Sequence, residues 1–315
     1  MAENVVSSEA PATEFDRAER HVGTAGAVIA ALDGSAADGP IVDWAADEAA
    51  WLDAPLRLVS AVDPGLQLTP YEALATGSPS LADHLEEGAR HVLDRAVDRV
   101  RDRHPGLDVA TAVPWGPPAA AVVRFSEGAR RVVVGAPARG RLERILIGSV
   151  ALPVVAHAHC PVVVVPVGTE VVPPRRIVVG VDGSEGSGKA LEVAFTTAEA
   201  NGADVYVVLG WNLEVHEGVV VTEPGSERWV AVEERHTGRL HRVVDPVAAR
   251  HPDVHVEVHV RHGAPARVVI EEAAEREADL VVVGSRGLGG FRGLLLGSVS
   301  RQVVQRAGRV VVIAR

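Results

Sequence analysis

The feature that most constrains this 315-residue chain is an internal duplication with a period close to half its length. A short apolar run that ends in Asp-Gly-Ser occurs at Val28–Ser35 and again at Ile177–Ser184. A later valine-rich run ends in a glycine-containing loop in both halves, at Gly135 in the first and at Gly284 in the second. This period is too long for a solenoid repeat, so each copy is expected to be a complete domain.

Within each half, short apolar runs alternate with segments of helical character. In the first half the predicted strands are Ala27–Leu32, Leu56–Val62, Val109–Val113, Arg131–Val134 and Val162–Pro166. Continuous runs of this kind are typical of parallel strands that are buried on both faces. The alternation predicts an α/β fold in which each domain is a doubly wound parallel sheet flanked by helices. The predicted divisions are a flexible tail at 1–24, a domain at 25–167, a linker at 168–175 and a second domain at 176–315.

Composition excludes several classes of protein. A hydrophobic content of 47% with 23% charged residues is typical of a folded domain. The net charge of −11 argues against nucleic acid as a partner. The longest apolar runs, such as Ala25–Leu32, are too short to span a bilayer, and the first residues lack a secretory pattern, so a cytoplasmic location is predicted. Cys160 is the only cysteine, which excludes an intramolecular disulfide.

The stretch Gly284–Ser300, which reads GSRGLGGFRGLLLGSVS, is suited to hold an anion. Its glycines are expected to adopt positive φ and to bring backbone N–H groups close to a ligand. Arg286 and Arg292 add positive charge, and a helix that opens at Ser298 would direct its free N–H groups at the same ligand. A glycine-rich loop taken alone is also typical of a flexible connector.

Asp182 ends the first predicted strand of its domain, and Gly284 ends the fourth. Ligands of open parallel sheets bind outside the carboxyl ends of the strands where the winding reverses, so these two residues are expected to meet there. An acid would repel phosphate, which predicts that Asp182 faces a sugar or a base. The alternative is that Asp182-Gly183-Ser184 is only a turn with a local side-chain cap.

Together these motifs resemble the universal stress protein family. Residues V-G-V-D-G-S open the second domain, and G-x-x-G, nine residues and G-[ST] follow near its end, so that Gly284, Gly287, Gly297 and Ser298 match the family's ATP-binding pattern. The resemblance covers Ala25–Val167 and Arg176–Arg315. It implies a five-stranded parallel sheet of order 3-2-1-4-5 in each domain, of the adenine-nucleotide alpha-hydrolase-like type. It also implies a regulatory role in the stress response. The implied ligand is ATP, either alone or together with Mg²⁺.

The resemblance assigns a set of ATP contacts to each domain. In the second domain these are Asp182, Gly183, Val208, Val283, Gly284, Arg286, Gly287, Gly297, Ser298, Val299 and Ser300. In the first domain they are Asp33, Gly34, Val134, Gly135, Ala138, Gly148, Ser149 and Val150. Ala138 replaces the second glycine of the motif, and an alanine at positive φ costs roughly 1–2 kcal/mol, or about tenfold in affinity. The second site is therefore expected to be the more secure one.

The resemblance also implies how the two domains associate. Family domains pair through their last strands, so Val162–Pro166 and Val310–Ile313 are expected to form an intramolecular version of that contact. Whether two chains form a homodimer, and which protein is the downstream partner, stays open.

Three rival sites are less favoured. Gly183–Ala190 nearly spells the phosphate loop G-x-x-x-x-G-K-[ST], but Ala190 lacks the hydroxyl that such a loop offers to magnesium. His255, Glu257 and His259 alternate on one strand and could hold a metal ion, although polar residues on an outer strand more often solvate its edge. The cluster of His157, His159 and Cys160 lacks a fourth ligand, so no metal site is predicted.

Three functions remain open: an ATP-binding regulator, a slow ATPase on the same scaffold, and an interaction module with an empty loop. No general base and no acidic metal pair is evident at the glycine loop, so no catalytic residue and no physiological turnover are predicted.

Overall fold

The structure is a computed structural model that describes residues 23–63, 79–136, 148–212, 214–216, 219–221, 223–288 and 295–315. Most of the predicted tail and the long loop predicted between Asp63 and Pro79 lie outside the described residues. So do Ala138 and Arg292.

The first half alternates strands and helices as predicted. Its elements are β1 (Val28–Ala31), α1 (Asp38–Trp51), β2 (Leu56–Val59), α2 (Pro79–Arg103), β3 (Val109–Ala112), α3 (Pro118–Phe125), β4 (Arg131–Ala136), α4 (Ala151–His157) and β5 (Val162–Pro166).

The second half repeats this order with one addition. Its elements are β6 (Arg176–Gly180), α5 (Glu185–Asn201), β7 (Asp204–Trp211), β8 (Glu214–His216), β9 (Val219–Val221), α6 (Glu227–Ala248), β10 (Val256–His262), α7 (Pro265–Glu275), β11 (Leu280–Gly284), α8 (Ser298–Arg306) and β12 (Val310–Ala314). The sequence did not predict the antiparallel hairpin of β8 and β9.

Helix α5 begins six residues earlier than the predicted start at Leu191. The Ser184 hydroxyl accepts a hydrogen bond from the Ser187 N–H at 3.2 Å and so caps the helix. Two glycines in the first turns, Gly186 and Gly188, have low helix propensity, which is why the sequence pattern placed the start too late.

Ten strands form one sheet in the order β10-β7-β6-β11-β12-β5-β4-β1-β2-β3. Each half has the predicted order 3-2-1-4-5 with parallel pairing. The two halves join where β5 pairs with β12 in the antiparallel sense, with Val163 opposite Val312. The last strands therefore form the intramolecular contact that the resemblance implied.

The core lies on both faces of this sheet. Neighbouring residues of one strand, such as Val178 and Val179, are both fully buried because they belong to clusters on opposite faces. Helices α1, α2, α5 and α6 cover one face, and α3, α4, α7 and α8 cover the other. This double coverage explains why the strands read as continuous apolar runs. In the described part of the chain, no helix combines the length and the apolar character that a membrane span needs.

Candidate functional site

A cavity of about 470 Å³ opens at the carboxyl ends of β6, β7 and β11, and we call it the second-domain pocket. Its volume lies in the range of small-molecule sites, roughly 300–1,000 Å³. It lies where the winding of the sheet reverses, which is the usual ligand position in open α/β sheets. Ten of the sequence-predicted residues line it: Asp182, Val208, Val283, Gly284, Arg286, Gly287, Gly297, Ser298, Val299 and Ser300.

Further lining residues were missed by the sequence reasoning. These are Gly180, Val181, Ser187, Gly210, Pro265 and Val269. Gly210 lies two residues after Val208, a predicted contact, on β7. A Cβ atom placed on Gly210 would lie 2.8 Å from the Pro265 Cα atom. This close approach of α7 to β7 forms the apolar wall of the pocket.

Asp182 ties the turn after β6 to the glycine loop. One carboxylate oxygen accepts from the Ser184 N–H at 2.9 Å, and the other accepts from the Leu288 N–H at 2.8 Å. Burial raises the pKa of Asp182, but hydrogen bonds from Ser184, Leu288 and Ser187 outweigh it and hold the pKa below its ordinary value. Asp182 is therefore an ionised anchor as well as a local turn cap. Gly183, which does not line the pocket, has φ +82 in this turn.

The glycines of the loop do not have the predicted backbone geometry. Gly297 has φ −68, and neither Gly284 nor Gly287 has positive φ. A Cβ atom on Gly284 would lie 2.6 Å from the backbone of Gly186, and one on Gly287 would lie 2.2 Å from the Asp182 Oδ2 atom. The prediction of positive φ was wrong for these three residues. Gly284 and Gly287 are needed because other atoms occupy the space that a side chain would fill.

The start of α8 closes the pocket on the loop side. Gly297 is the N-cap residue, and its N–H donates to the Ser285 carbonyl at 2.7 Å. The Ser300 hydroxyl is buried and donates to the Gly284 carbonyl at 2.6 Å, so it holds the loop rather than facing outward. Ser298 is exposed in the first turn, which contains no acidic residue. The free N–H groups of this turn therefore form a site that favours an anion.

A second cavity of about 420 Å³ occupies the equivalent position in the first half, and we call it the first-domain pocket. Predicted residues that line it are Asp33, Val134, Gly135, Gly148, Ser149 and Val150. Gly34 does not line it and has φ +83, like its counterpart Gly183. Apolar side chains that the sequence reasoning missed form much of its wall, among them Ile41, Val59, Pro118 and Val122.

The sequence profile of the universal stress protein family matches the chain twice, over residues 26–166 and 174–315. The chain belongs to the universal stress protein family. Its relatives include proteins that match over nearly the whole chain. A universal stress protein of Mycolicibacterium smegmatis is 34% identical over 296 residues, which are 91% of this chain and 96% of that protein. Universal stress protein Rv2623 of Mycobacterium tuberculosis is 35% identical over 295 residues, with the same two shares.

The fold of this universal stress protein also matches solved structures. A universal stress protein from Archaeoglobus fulgidus superposes with a TM-score of 0.70 at 20% identity. The match covers 92% of this chain and 98% of that one. The tandem arrangement of two domains is thus supported by sequence and by fold.

Of the residues proposed above as metal ligands, Glu257 and His259 lie on β10 in an ion-pair network with an arginine, and His255 immediately precedes the strand. The Glu257 carboxylate lies 3.2 Å from the His259 Nε2 atom and 3.1 Å from the Arg276 guanidinium, which is itself 3.0 Å from the same His259 atom. The arginine thus occupies the position near these side chains that a cation would need. Within the described residues, no cluster of three or more candidate ligands is arranged for a metal ion.

The stretch that resembles a phosphate loop is helical from Glu185 onward. Lys189 lies on α5, where its ammonium group pairs with Glu185 at 2.9 Å, one turn earlier, and Ala190 is fully buried. Lys189 does not line the second-domain pocket. The lysine of this segment therefore belongs to the surface of α5.

Proposed function

We propose that this universal stress protein is a regulator that binds ATP in its second-domain pocket, with the first-domain pocket as a weaker, pseudo-equivalent site. One observation carries the proposal. The Asp182 carboxylate, the Gly284–Gly287 segment and the first turn of α8 converge on one cavity at the reversal point of the sheet. A carboxylate beside an anion-binding helix terminus matches a ligand that has both hydroxyl groups and phosphates.

In the proposed complex, the two ends of the pocket hold different parts of the nucleotide. Val208, Gly210 and Pro265 form an apolar wall for the base, and Asp182 faces the ribose. Arg286 lines the cavity, so its positive charge and the N–H groups at Ser298 would stabilise the phosphates. Bound Mg²⁺ would add phosphate charge neutralisation.

We propose binding rather than turnover. Among the described residues that line the second-domain pocket, Asp182 is the one acidic side chain. Both of its oxygens already accept backbone N–H groups, and its pKa is lowered, which makes it a poor general base. Single-turnover measurements of phosphate release should therefore show no release above the uncatalysed rate. The cytoplasmic location stays a prediction from sequence.

Calorimetric titration of nucleotide-free protein with ATP tests the proposal. We expect saturable binding that Gly287→Glu weakens strongly, because the new side chain places bulk and negative charge against Asp182. Gly238→Glu is the matched control, since it adds the same charge at an exposed position of α6 where a Cβ atom meets nothing within 4 Å. Absence of binding by ATP, ADP and AMP to the wild-type protein would refute the proposed function.

A further inference from the structure

The two pockets differ at the first turn of the helix that follows the first strand of each domain. If Asp33 is aligned with Asp182, Ala37 takes the position of Gly186, and Asp38 takes the position of Ser187. Both differences lie at the start of that helix, where Ala37 lines the first-domain pocket and Asp38 is the first helical residue. Ala37 has a methyl group where Gly186 has none, and Asp38 has a carboxylate where Ser187 has a neutral hydroxyl.

In the second domain, Gly186 is the surface on which the glycine loop rests. A Cβ atom on Gly186 would lie 2.5 Å from the Arg286 carbonyl oxygen, and a Cβ atom on Gly284 would lie 2.6 Å from the Gly186 backbone. The loop therefore packs directly against the first turn of α5. This contact brings Arg286 and Gly287 to the wall of the cavity.

Ser187 lies beside Gly186 and adds no charge. Its hydroxyl accepts from the Gly183 N–H at 3.1 Å and donates to the Ser184 carbonyl at 2.8 Å. The side chain is buried and lines the second-domain pocket.

In the first domain, Asp38 takes the place of Ser187 as acceptor for the glycine N–H of the turn, but with a carboxylate. Its oxygens accept from the Gly34 N–H at 2.9 Å and from the Asp33 N–H at 3.2 Å. Burial raises the pKa of Asp38, and the neighbouring Asp33 charge raises it further. The two hydrogen bonds lower the pKa but do not outweigh these effects. Asp33 lines the first-domain pocket, and the Asp38 carboxylate lies beside it without lining the pocket itself.

The methyl group of Ala37 takes up the space that, at the equivalent position in the second domain, Gly186 leaves free for the glycine loop. Ala37 lines the first-domain pocket, and its Cβ atom would lie 3.3 Å from a Cβ atom placed on Gly135, the residue equivalent to Gly284.

We propose that this two-residue difference, Gly186-Ser187 against Ala37-Asp38, determines which pocket accepts the phosphates of a nucleotide. Gly186 is a positioning residue that seats the loop, and Ser187 adds no further charge beside Asp182. Ala37 adds a methyl group at the position of Gly186, and Asp38 adds a second negative charge beside Asp33, which disfavours phosphate. The inference rests on the proposed function.

The test exchanges the two residues between the domains. Gly186→Ala combined with Ser187→Asp should weaken ATP binding to the tight site by at least about tenfold, the effect of about 1.4 kcal/mol. Adenosine, which has no phosphates, should lose less affinity than ATP, a change of preference that general damage to the pocket would not produce. Gly188→Ala is the control, since a Cβ atom there meets nothing within 4 Å.

The reciprocal exchange tests for a gain of ATP binding rather than a loss. In a Gly287→Glu background, Ala37→Gly with Asp38→Ser should raise the ATP affinity of the first-domain pocket, with thermal unfolding as the check on folding. If wild-type protein binds ATP but neither exchange alters the affinity or the preference over adenosine, the inference is wrong and the proposed function stands. If wild-type protein binds no adenine nucleotide, both are wrong.

Discussion

Gly287→Ala tests how the glycine loop is held, with the smallest possible change. The added methyl group would lie 2.2 Å from the Asp182 Oδ2 atom, far inside contact distance. The carboxylate cannot withdraw without a cost, because its oxygens hold the Ser184 N–H at 2.9 Å and the Leu288 N–H at 2.8 Å. Gly287 does not have positive φ, so the substitution adds a steric conflict and no backbone strain.

The magnitude follows from the bond that must break. Relief of the conflict moves the loop away from Asp182 and gives up the hydrogen bond from Leu288 to an ionised carboxylate, worth roughly 1.5–3 kcal/mol. Overpacking of a well-packed site typically costs a similar amount, about 1–3 kcal/mol. If the displaced loop no longer binds phosphate, ATP affinity should fall roughly ten- to hundredfold.

Calorimetric titration with ATP measures this loss, and Gly188→Ala serves as the control for an added methyl group near the pocket. The expected result is weaker binding by Gly287→Ala and wild-type binding by the control. An alanine variant that is folded and binds ATP as tightly as the wild-type protein would refute the reasoning, because ligand binding would then not depend on the contact between the loop and Asp182.

Three further predictions concern stability and reactivity. Glu48→Ala should lower the free energy of unfolding in urea by roughly 3–5 kcal/mol, because the buried Arg131 guanidinium then lacks the carboxylate 2.8 Å away. An unchanged free energy of unfolding would contradict this prediction. Burial raises the pKa of the Cys160 thiol to about 12, so iodoacetamide at mildly alkaline pH should modify it only after unfolding, and rapid modification of native protein would count against this. The pKa of Asp182 is lowered on folding, so its stabilising contribution is complete above the unfolded value of 3.8 and is lost as the pH falls through the lower folded value. The unfolding free energies of wild-type protein and Asp182→Asn should therefore converge in acid, and curves that stay parallel would disprove the assignment.

Much of the fold could be predicted because parallel strands that are buried on both faces appear in the sequence as continuous apolar runs. The run at Val162–Pro166 and its counterpart at Val310–Ala314 are apolar at nearly every position, and both are central strands of the sheet. The hairpin of β8 and β9 could not be predicted, since two three-residue strands carry too little periodicity to separate from a loop.

The site could be predicted only in part, because a glycine pattern shows where side chains are absent and not which atoms take their place. The motif placed Gly284, Gly287 and Gly297 at the pocket, but the expected reason, positive φ, was wrong. The actual reason lies in contacts with Gly186 and Asp182, which are about a hundred residues away in sequence. Comparison of the two halves offers the one available signal, since Gly186 is replaced by Ala37 in the first copy.

Photolabelling with an azido-adenine analogue of ATP tests the central claim most directly, that the second-domain pocket binds an adenine nucleotide. The account predicts a label that ATP competes away and that maps to peptides containing Val208, Gly210 or Pro265, the apolar wall of that pocket. Gly287→Glu should reduce this labelling, and Gly238→Glu should leave it unchanged. A label that ATP does not compete away, or that is absent from these peptides, would contradict the claim.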